Sequence, residues 1–263
     1  MNILITGASG FVGKHLVKEL LNSPHQVETY NRQKGYSYRA DLNDKPYLAK
    51  ATKNKDLVIH LAASYKKNLN KINITGTKSL VEACVKNKVK KIIYMSSYDV
   101  LIKSKYGLSK LAAEKIIKNS GINYIILRPT VIYGGDNKNI GTIEACIKKY
   151  SIVPVPGDGT VKMQPLFVGD LVKLIFNSLK SEVKNQVYYV AGQVLSFNEM
   201  VDIIAEHQNK KAFKIHTPKF IVKLINKSLL NSKLCDIDDL KNTNKDLGFT
   251  FRNFRDGIAS KKW

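Results

Sequence analysis

Cysteine is scarce in this sequence, and no long apolar run is present. The 263 residues include three cysteines, Cys84, Cys146 and Cys235, which lie far apart. A sparse and odd set of this kind predicts neither a disulfide framework nor a zinc site. No apolar run approaches the roughly 20 residues needed to cross a bilayer, and the N-terminus lacks the residue order of a signal peptide. We therefore expect a cytoplasmic protein with no bound metal and no membrane partner.

Acidic residues are also scarce, with 21 of them against 43 basic residues and a net charge of +22. Such a charge is compatible with a nucleic-acid partner. The lysines are scattered over many segments, however, and neither an arginine-rich helix nor an aromatic stacking run accompanies them. We interpret them as a solvated surface and expect no nucleic-acid partner. Steering of an anionic cofactor or substrate is compatible with that interpretation.

The first half of the chain alternates short apolar runs with helical patterns. The predicted strands are Asn2–Thr6, Val27–Asn31, Leu57–Leu61, Lys91–Ser96 and Tyr124–Leu127, and the predicted helices are Phe11–Leu21, Asn73–Asn87 and Tyr106–Lys118. Near-continuous apolar strands separated by helical crossovers predict an α/β fold with a doubly wound parallel sheet of the Rossmann type.

After Gly134 the pattern loosens, because glycine and proline interrupt it repeatedly. A strand over Val187–Ala191, a helix over Phe197–His207 and a further helix after Pro218 are predicted there. We predict a Rossmann domain over residues 1–134, to which part of 160–190 returns. Residues 135–263 are predicted to form a smaller C-terminal substrate-binding region.

A glycine-rich turn lies directly between the first predicted strand and the first predicted helix. It reads Thr6-Gly7-Ala8-Ser9-Gly10-Phe11-Val12-Gly13, with glycines three residues apart. Such a turn lets the backbone approach a pyrophosphate closely, and the helix N-terminus offers unpaired N–H groups to it. Because the strand and the helix that this mechanism requires are both predicted, the motif indicates dinucleotide binding.

The end of the second strand indicates which dinucleotide binds. NAD-selective sites place a carboxylate there, on the ribose hydroxyls. This chain has Asn31 followed by Arg32, and an arginine suits a 2′-phosphate. We therefore expect NADP, with NAD as the alternative, and we expect Asp41 and Leu42 to lie near the adenine.

A phenol and an ammonium group stand four residues apart in Tyr106-Gly-Leu-Ser-Lys110. On a helix these positions share a face, and a nearby ammonium is expected to lower the pKa of the tyrosine and so suit it to acid–base work. Ser97 ends the fourth strand, at the sheet edge where doubly wound folds bind ligands. We predict Ser97, Tyr106 and Lys110 as the catalytic residues. His60 lies inside an apolar strand and is interpreted as a core residue.

Together these motifs make the chain similar to the extended or atypical short-chain dehydrogenase/reductases, the NAD(P)-dependent epimerase/dehydratase group. The resemblance covers nearly the whole chain, and its markers are TGASGFVG (6–13), DL (41–42), VIHLAA (58–63), NITGT (73–77), MSS (95–97), YGLSK (106–110), RPTVIYG (128–134), PLFVGD (165–170) and LGFTF (247–251). Two positions differ from the family's nucleotide-sugar enzymes, which often carry asparagine at Val131 and arginine at Met163.

The resemblance implies a role for each matched residue. Ser97 would orient the substrate oxygen, Tyr106 would act as general acid and base, and Lys110 would lower the pKa of Tyr106 and hold the nicotinamide ribose. Asn73 would brace the central helix. The residues implied to contact the cofactor are Gly7, Ser9, Gly10, Phe11, Val12, Gly13, Arg32, Asp41, Leu42, Leu61, Ala62, Ala63, Tyr106, Lys110, Pro129 and Val131, with Thr130 beside them.

Three functions fit these expectations. The first is reduction of a keto group in a nucleotide-activated sugar or a related carbonyl compound. The second is epimerisation of a nucleotide sugar with tightly bound NAD, and the third is a non-catalytic NADPH-binding protein. Members of the family often dimerise through the helices that correspond to Asn73–Asn87 and Tyr106–Lys118, so a homodimer is left open.

Overall fold

The computed structural model describes residues 1–135, 138–218, 234–235, 237–248 and 250–260, without the side chains of 138, 139 and 237–239. The helix predicted after Pro218 falls outside these residues. The chain divides into two compact units. The first comprises residues 1–129, 172–189 and 242–249, and the second comprises residues 130–171, 190–241 and 250–263.

A seven-stranded sheet forms the centre of the first unit. Its strands are β1 (Asn2–Thr6), β2 (Gln26–Asn31), β3 (Tyr38–Arg39), β4 (Leu57–His60), β5 (Lys91–Met95), β6 (Asn123–Pro129) and β11 (Gln186–Val190). They lie in the order β11-β6-β5-β4-β1-β2-β3, and the pairs from β3 to β6 are parallel. The order reverses between β1 and β4, which is the topological switch point of a doubly wound sheet. The predicted Rossmann architecture is confirmed.

The helices of the first unit are α1 (Phe11–Leu21), α2 (Lys45–Thr52), the π-helix Asn70–Gly76 with α3 (Thr77–Lys86) directly after it, a 3₁₀ turn (Tyr98–Val100) and α4 (Lys105–Lys118). Two further helices, α6 (Val168–Lys180) and α8 (Ile237–Leu247), contribute residues to both units. On one face of the sheet, Leu80 of α3 and Ile117 of α4 share a buried cluster with Leu4, Val58 and Ile92. The strands are apolar on both sides because helices cover both faces of such a sheet.

The predicted helix Asn73–Asn87 differs from the observed one at its start. The structure has a π-helix over Asn70–Gly76, and regular α-helix begins only at Thr77. Gly76 packs so closely on Leu42 that a Cβ at Gly76 would lie 2.9 Å from the Cβ of Leu42. A single widened turn lets Asn73 point inward at this contact, and such turns are common at functional sites.

The second unit is built from short paired strands and helices. Its strands are β7 (Ile132–Tyr133), β8 (Ile152–Pro156), β9 (Lys162–Met163), β10 (Leu166–Phe167), β12 (Leu195–Ser196) and β13 (Phe213–Thr217), and its helices include α5 (Lys138–Tyr150), α7 (Phe197–His207) and α9 (Phe254–Ala259). Strand β7 pairs with β10, β9 with β12, and β8 with β13. Asp170 is buried and accepts hydrogen bonds from the backbone N and the Nε of Arg252 at 3.1 and 2.6 Å.

The described residues contain neither a membrane-spanning helix nor a metal-binding cluster. Within these ranges, no helix is both long and apolar enough to span a bilayer. The same part of the chain holds no group of three or more histidine, cysteine, aspartate or glutamate residues that could bind a metal ion.

Candidate active site

The glycine turn after β1 leaves no room for side chains. Gly7 has a φ of +74°, and a Cβ built on it would lie 2.5 Å from the backbone N of Ala62. A Cβ on Gly13 would lie 2.3 Å from the carbonyl oxygen of Gly7. Real Cβ atoms are not found at such distances from backbone atoms, so both positions require glycine. The turn therefore brings β1, β4 and the start of α1 into direct backbone contact.

The N-terminus of α1 faces this turn without a capping side chain. Gly10 is the N-cap residue, it makes no side-chain cap, and the first turn carries no acidic residue. The first backbone N–H groups of a helix have no partner inside the helix and carry partial positive charge. Phe11, Val12 and Gly13 form this first turn. An anion such as a pyrophosphate would complete it.

A cleft of about 210 Å³ opens beside the turn, at the carboxyl edge of the sheet. Its lining includes most of the predicted cofactor residues, together with five that the sequence did not indicate; the full set is Gly7, Ser9, Gly10, Tyr30, Asn31, Arg32, Ala40, Asp41, Leu42, Leu61, Ala62, Ala63, Ser64 and Ile72. Asn31 Nδ2 donates to Ser9 Oγ at 2.5 Å, and Tyr30 Oη donates to the carbonyl oxygen of Asp41 at 2.8 Å. These bonds fix the rim where β2 ends.

Arg32 and Asp41 lie on the same side of this cleft. Burial tends to raise the pKa of Asp41, but hydrogen bonds from Asn43 and the positive charge of Arg32 outweigh it, so the pKa is lowered overall. Asn43 Nδ2 donates to Asp41 Oδ1 at 2.7 Å. Asp41 is therefore ionised near neutral pH, and the field of its carboxylate acts against that of the Arg32 guanidinium.

The predicted catalytic residues all lie around the first turn of α4. Ser97 follows β5, and its Oγ accepts a hydrogen bond from the backbone N of Asp99 at 3.1 Å. Helix α4 starts beside the same 3₁₀ turn, because a Cβ on Gly107 would lie 2.0 Å from the carbonyl oxygen of Asp99. Gly107 is thus a site residue that the sequence analysis missed. Its signals in the sequence were its place inside the YGLSK motif and a glycine in the first turn of a helix.

Lys110 is turned into the protein and is 1% exposed. Its Nζ lies 4.2 Å from the centroid of the Tyr94 ring, which is a cation–π contact. Burial lowers the pKa of Lys110 to about 7, and the carboxylate of Glu114 opposes this shift. The charge of Lys110 therefore responds to pH near neutrality.

The expected lowering of the Tyr106 pKa is wrong for this structure. Burial raises that pKa, and the charge of Asp99 and the neighbouring Tyr65 raise it further. The rings of Tyr65 and Tyr106 lie 4.7 Å apart between centroids. The ammonium of Lys110 does not offset these effects, because it lies over Tyr94. Tyr106 is accordingly a protonated phenol at neutral pH.

A buried ion pair anchors α4 one turn beyond Lys110. Glu114 is fully buried, and it accepts hydrogen bonds from Arg128 Nε at 2.9 Å, Arg128 Nη2 at 2.6 Å and Ser96 Oγ at 2.5 Å. Arg128 Nη1 also donates to Tyr189 Oη at 2.7 Å. This bidentate pair ties α4 to β6 and to the segment after β5, so it fixes the helix that carries Tyr106 and Lys110.

A second buried chain of hydrogen bonds runs through His60, which agrees with its interpretation as a core residue. Thr77 Oγ1 donates to the carbonyl oxygen of Asn73, so it accepts from His60 Nε2 at 2.9 Å. His60 Nδ1 then accepts from Thr6 Oγ1 at 2.6 Å. Burial, together with the charge of Lys110, lowers the pKa of His60 to about 3. The imidazole is therefore neutral, with its proton on Nε2.

Asn73 performs the bracing expected of it. Its Nδ2 donates to the carbonyl oxygen of Ser64 and to Ser109 Oγ, both at 2.9 Å, while its Oδ1 accepts from the backbone N of Ser64 at 2.7 Å. Ser109 Oγ donates in turn to the carbonyl oxygen of Tyr106. The side chain thus links the loop after β4 to the first turn of α4.

The remaining predicted residues lie at the end of β6 and beyond it. Pro129 is a buried residue of the first unit, whereas Thr130 and Val131 belong to the second unit, where Val131 is partly exposed. Thr130 Oγ1 donates to the carbonyl oxygen of Gln164 at 2.5 Å. The amide of Gln164 bonds the backbone of Cys235, with Oε1 accepting from Cys235 N at 2.6 Å. Gln164 is therefore engaged structurally within its own unit.

Comparison with known proteins agrees with this arrangement. The model of the NAD dependent epimerase/dehydratase family matches residues 3–191. The N-acetyl-alpha-D-glucosaminyl-diphospho-ditrans,octacis-undecaprenol 4-epimerase of Escherichia coli O157:H7 is 29% identical over 255 residues, which cover 82% of this chain and 75% of the relative. The UDP-glucose 4-epimerase of Vibrio cholerae is 29% identical over 276 residues, with 89% and 84% covered. A solved structure, MoeE5 in complex with UDP-glucose and NAD, matches with a TM-score of 0.79 at 26% identity and covers 99% of this chain and 97% of its own.

Proposed function

Because the chain is an enzyme of the NAD-dependent epimerase/dehydratase family, we propose that it epimerises C4 of a sugar carried on a diphosphate, using NAD that stays bound. Both relatives named above are 4-epimerases, and they favour this alternative over the net reduction that the sequence first suggested. The observation that carries the proposal is the start of α4, where Tyr106 and Lys110 share a helix that packs against the 3₁₀ turn capped by Ser97.

The residues around the glycine turn fit a dinucleotide. Gly7 and Gly13 form a cradle that a Cβ would fill, and the uncapped start of α1 suits a pyrophosphate. Asp41, Leu42 and Ala62 line the cleft where the adenosine portion would lie. When bound, NAD supplies a hydride acceptor and then a hydride donor for the sugar carbon.

The protein's own residues handle the proton and the orientation. In the first half-reaction the sugar C4 gives up a hydride to the dinucleotide, and its hydroxyl gives up a proton to Tyr106 Oη. In the second half-reaction the hydride returns to C4, and Tyr106 returns the proton to the oxygen of the 4-keto sugar. Ser97 Oγ holds the same oxygen. Before it can take a proton, Tyr106 must release its own proton to solvent, and the proposal requires Lys110 Nζ, which lies over the Tyr94 ring in this structure, to turn toward the resulting phenolate. Rotation of the keto sugar between the two steps changes which face receives the hydride.

Support for NAD over NADP comes from the family and from Asp41. The family is NAD-dependent, and an ionised Asp41 near Arg32 reduces the pull of Arg32 on a 2′-phosphate. The preference for NADP that the sequence indicated stays a prediction, and it can be tested by measuring the NAD and NADP affinities of Arg32 variants.

The carrier of the sugar is either a nucleotide or a lipid. One relative acts on a UDP-sugar and the other on a sugar joined to undecaprenol through a diphosphate, and both are 29% identical to this chain. Val131 and Met163 stand where nucleotide-sugar enzymes often carry asparagine and arginine. The diphosphate is the chemistry that both carriers share.

The direct test is a substrate panel. One portion of the purified protein should be denatured and its released dinucleotide identified by mass spectrometry. A second, native portion should be incubated with UDP-glucose, UDP-N-acetylglucosamine and their undecaprenyl-diphosphate counterparts. We expect the released dinucleotide to be NAD. We also expect NMR to show interconversion of the C4 epimers of the sugar without added cofactor. A chain that binds no dinucleotide, or that requires one added NADPH for every product formed, contradicts the proposal.

A further inference from the structure

Two acid-free segments of the chain meet beside Tyr106, and Asp99, which directly precedes the second of them, acts on both Tyr65 and Tyr106. No aspartate or glutamate occurs between Asp56 and Glu82, although this segment contains four lysines, and none occurs between Asp99 and Glu114. The two segments meet because the π-helix Asn70–Gly76 packs against α4. The overall excess of basic residues is thus concentrated, at this place, into a surface without carboxylates.

The surface has a defined set of members, which we call the lysine patch: Tyr65, Lys66, Lys67, Lys71, Lys105 and Leu108. All six are exposed, with Tyr65 at 60% and Leu108 at 49%. Lys66, Lys71, Lys105 and Leu108 line one concave surface with Leu69 and Ile74, and its volume is about 670 Å³. Apolar side chains therefore stand among ammonium groups on a single face.

The backbone beneath the lysine patch is held in place. The carbonyl oxygen and the N–H of Ser64 are both bonded to Asn73, and Ser64 Oγ donates to the carbonyl oxygen of Lys67. The backbone N of Ile72 donates to the carbonyl oxygen of Asn68 at 2.9 Å. Lys66 and Lys67 are therefore presented from a fixed loop, while Lys71 lies on the π-helix and Lys105 on α4.

Two lysines elsewhere on the same unit form ion pairs with carboxylates. Lys45 pairs with Glu82 at 3.0 Å and Lys90 with Asp56 at 2.9 Å. Across the described ranges, the four lysines of the lysine patch take part in no such pair. No direct ion pair therefore holds these ammonium groups, although the charge of Lys71 also acts on Asp41.

We propose that the lysine patch docks this enzyme on the surface of an anionic lipid bilayer. Ammonium groups near such a surface gain from its negative potential, and tyrosine and leucine side chains partition into the interfacial layer between headgroups and acyl chains. The patch supplies both features on one face. Docking of this kind needs no membrane-spanning helix.

Two other occupants fit the lysine patch less well. A nucleic acid is bound most specifically through arginine and stacked aromatic rings, and the patch contains no arginine and a single aromatic ring, which lies against Tyr106. A second copy of the chain, related by a twofold axis through the patch, would bring its lysines against one another.

Docking here would place the bilayer next to the catalytic tyrosine, because Tyr65 of the lysine patch contacts Tyr106. This consequence rests on the proposed function: a sugar on a lipid diphosphate would then reach the active site without leaving the membrane surface. The patch thus favours the lipid carrier over the nucleotide carrier.

The test compares two triple variants in vesicle co-sedimentation at low salt. The first replaces Lys66, Lys71 and Lys105 with glutamine. The matched control replaces Lys18, Lys50 and Lys53, which are exposed lysines of the same unit away from this patch, so that the net charge changes equally. The vesicles are phosphatidylglycerol with phosphatidylcholine in equal parts, or phosphatidylcholine alone.

We expect the wild-type chain to sediment with the anionic vesicles and not with phosphatidylcholine. Because each lysine near an anionic surface contributes about fivefold, the patch variant should bind on the order of 100-fold more weakly, while the control stays within about threefold of wild type. Leu108→Ser should weaken binding severalfold without changing the net charge.

Equal losses of vesicle binding in the patch variant and the control would overturn docking through this surface. So would single-stranded DNA that binds the wild type as tightly as anionic vesicles do and no longer binds the patch variant. Self-association of the wild type that the patch variant abolishes would assign the surface to a second copy instead. Failure of docking leaves C4 interconversion of soluble UDP-sugars intact, whereas failure of the proposed function leaves vesicle binding intact.

Discussion

The buried pair of Glu114 and Arg128 gives the sharpest prediction on how the scaffold supports the active site. In Glu114→Gln the carboxylate is lost, while the Arg128 side chain stays 12% exposed with its Nε and Nη2 facing a neutral amide. Removing one partner of a buried pair leaves an uncompensated charge and costs about 3–5 kcal/mol. We expect the free energy of unfolding in urea to fall by about that amount.

The same substitution should act on Lys110. Burial already lowers its pKa to about 7, and Glu114 is the group that opposes the shift. Without Glu114, Lys110 loses its proton at lower pH, so the alkaline limb of the pH–rate profile should move to lower pH. The double variant Glu114→Gln/Arg128→Met removes the unpaired charge and should regain much of the stability. Its pH–rate profile should nevertheless stay displaced.

The two readouts separate a positioning role from a purely structural one. Stability is measured by urea unfolding at fixed pH, and the profile is measured on an identified sugar substrate with bound NAD confirmed in each variant. An unchanged profile in a folded Glu114→Gln variant would refute the link between Glu114 and Lys110, and an unchanged stability would refute the buried pair.

Three further predictions follow from single residues. The folded-state pKa of His60, about 3, lies below the unfolded value of 6.5, so its contribution to stability is fully present above pH 6.5 and is lost as the pH falls toward 3. Between pH 7.5 and pH 5, the free energy of unfolding in urea should therefore fall by about 2 kcal/mol more in the wild type than in His60→Gln. Equal losses, or a protonated His60 in NMR at pH 5, would contradict the buried neutral imidazole. In Gly13→Ala the new Cβ would lie 2.3 Å from the Gly7 carbonyl oxygen, so the affinity for NAD measured by calorimetry should fall at least 10-fold. The control Gly121→Ala places its Cβ against no neighbouring atom and should change only the stability. Full NAD affinity in Gly13→Ala would argue against the cradle. Arg32→Ala should change the affinity for NAD less than threefold. If instead the wild type binds NADP more tightly than NAD, and Arg32→Ala loses that preference, the sequence-based expectation of NADP is restored.

The Rossmann sheet could be predicted because its signals are local. Buried parallel strands such as Asn2–Thr6 read as apolar runs, and the glycine turn lies between strand and helix where phosphate binding requires it. Helix Phe197–His207 was predicted with its observed bounds, since Ser196 and Glu199 form a capping box at its start. Short-range chemistry decides each of these elements.

The parts that were not predicted depend on contacts between distant residues. The π-helix at Asn70–Gly76 packs on Leu42, and although the NITGT motif indicated a bracing role for Asn73, nothing in it indicated the widened turn. The raised pKa of Tyr106 was missed for the same reason. The spacing of Tyr106 and Lys110 predicts a shared helical face, but the burial of Lys110 against Tyr94 is a property of the folded core.

The central claim is that the phenol of Tyr106 moves the proton while α1 and the glycine turn hold the dinucleotide. The measurement that tests it most directly is C4 epimerisation by Tyr106→Phe, with the bound dinucleotide quantified in the same preparation. We predict a loss of turnover on the order of 100-fold to 10,000-fold with NAD content equal to wild type. A Tyr106→Phe protein that retains wild-type turnover would contradict the account.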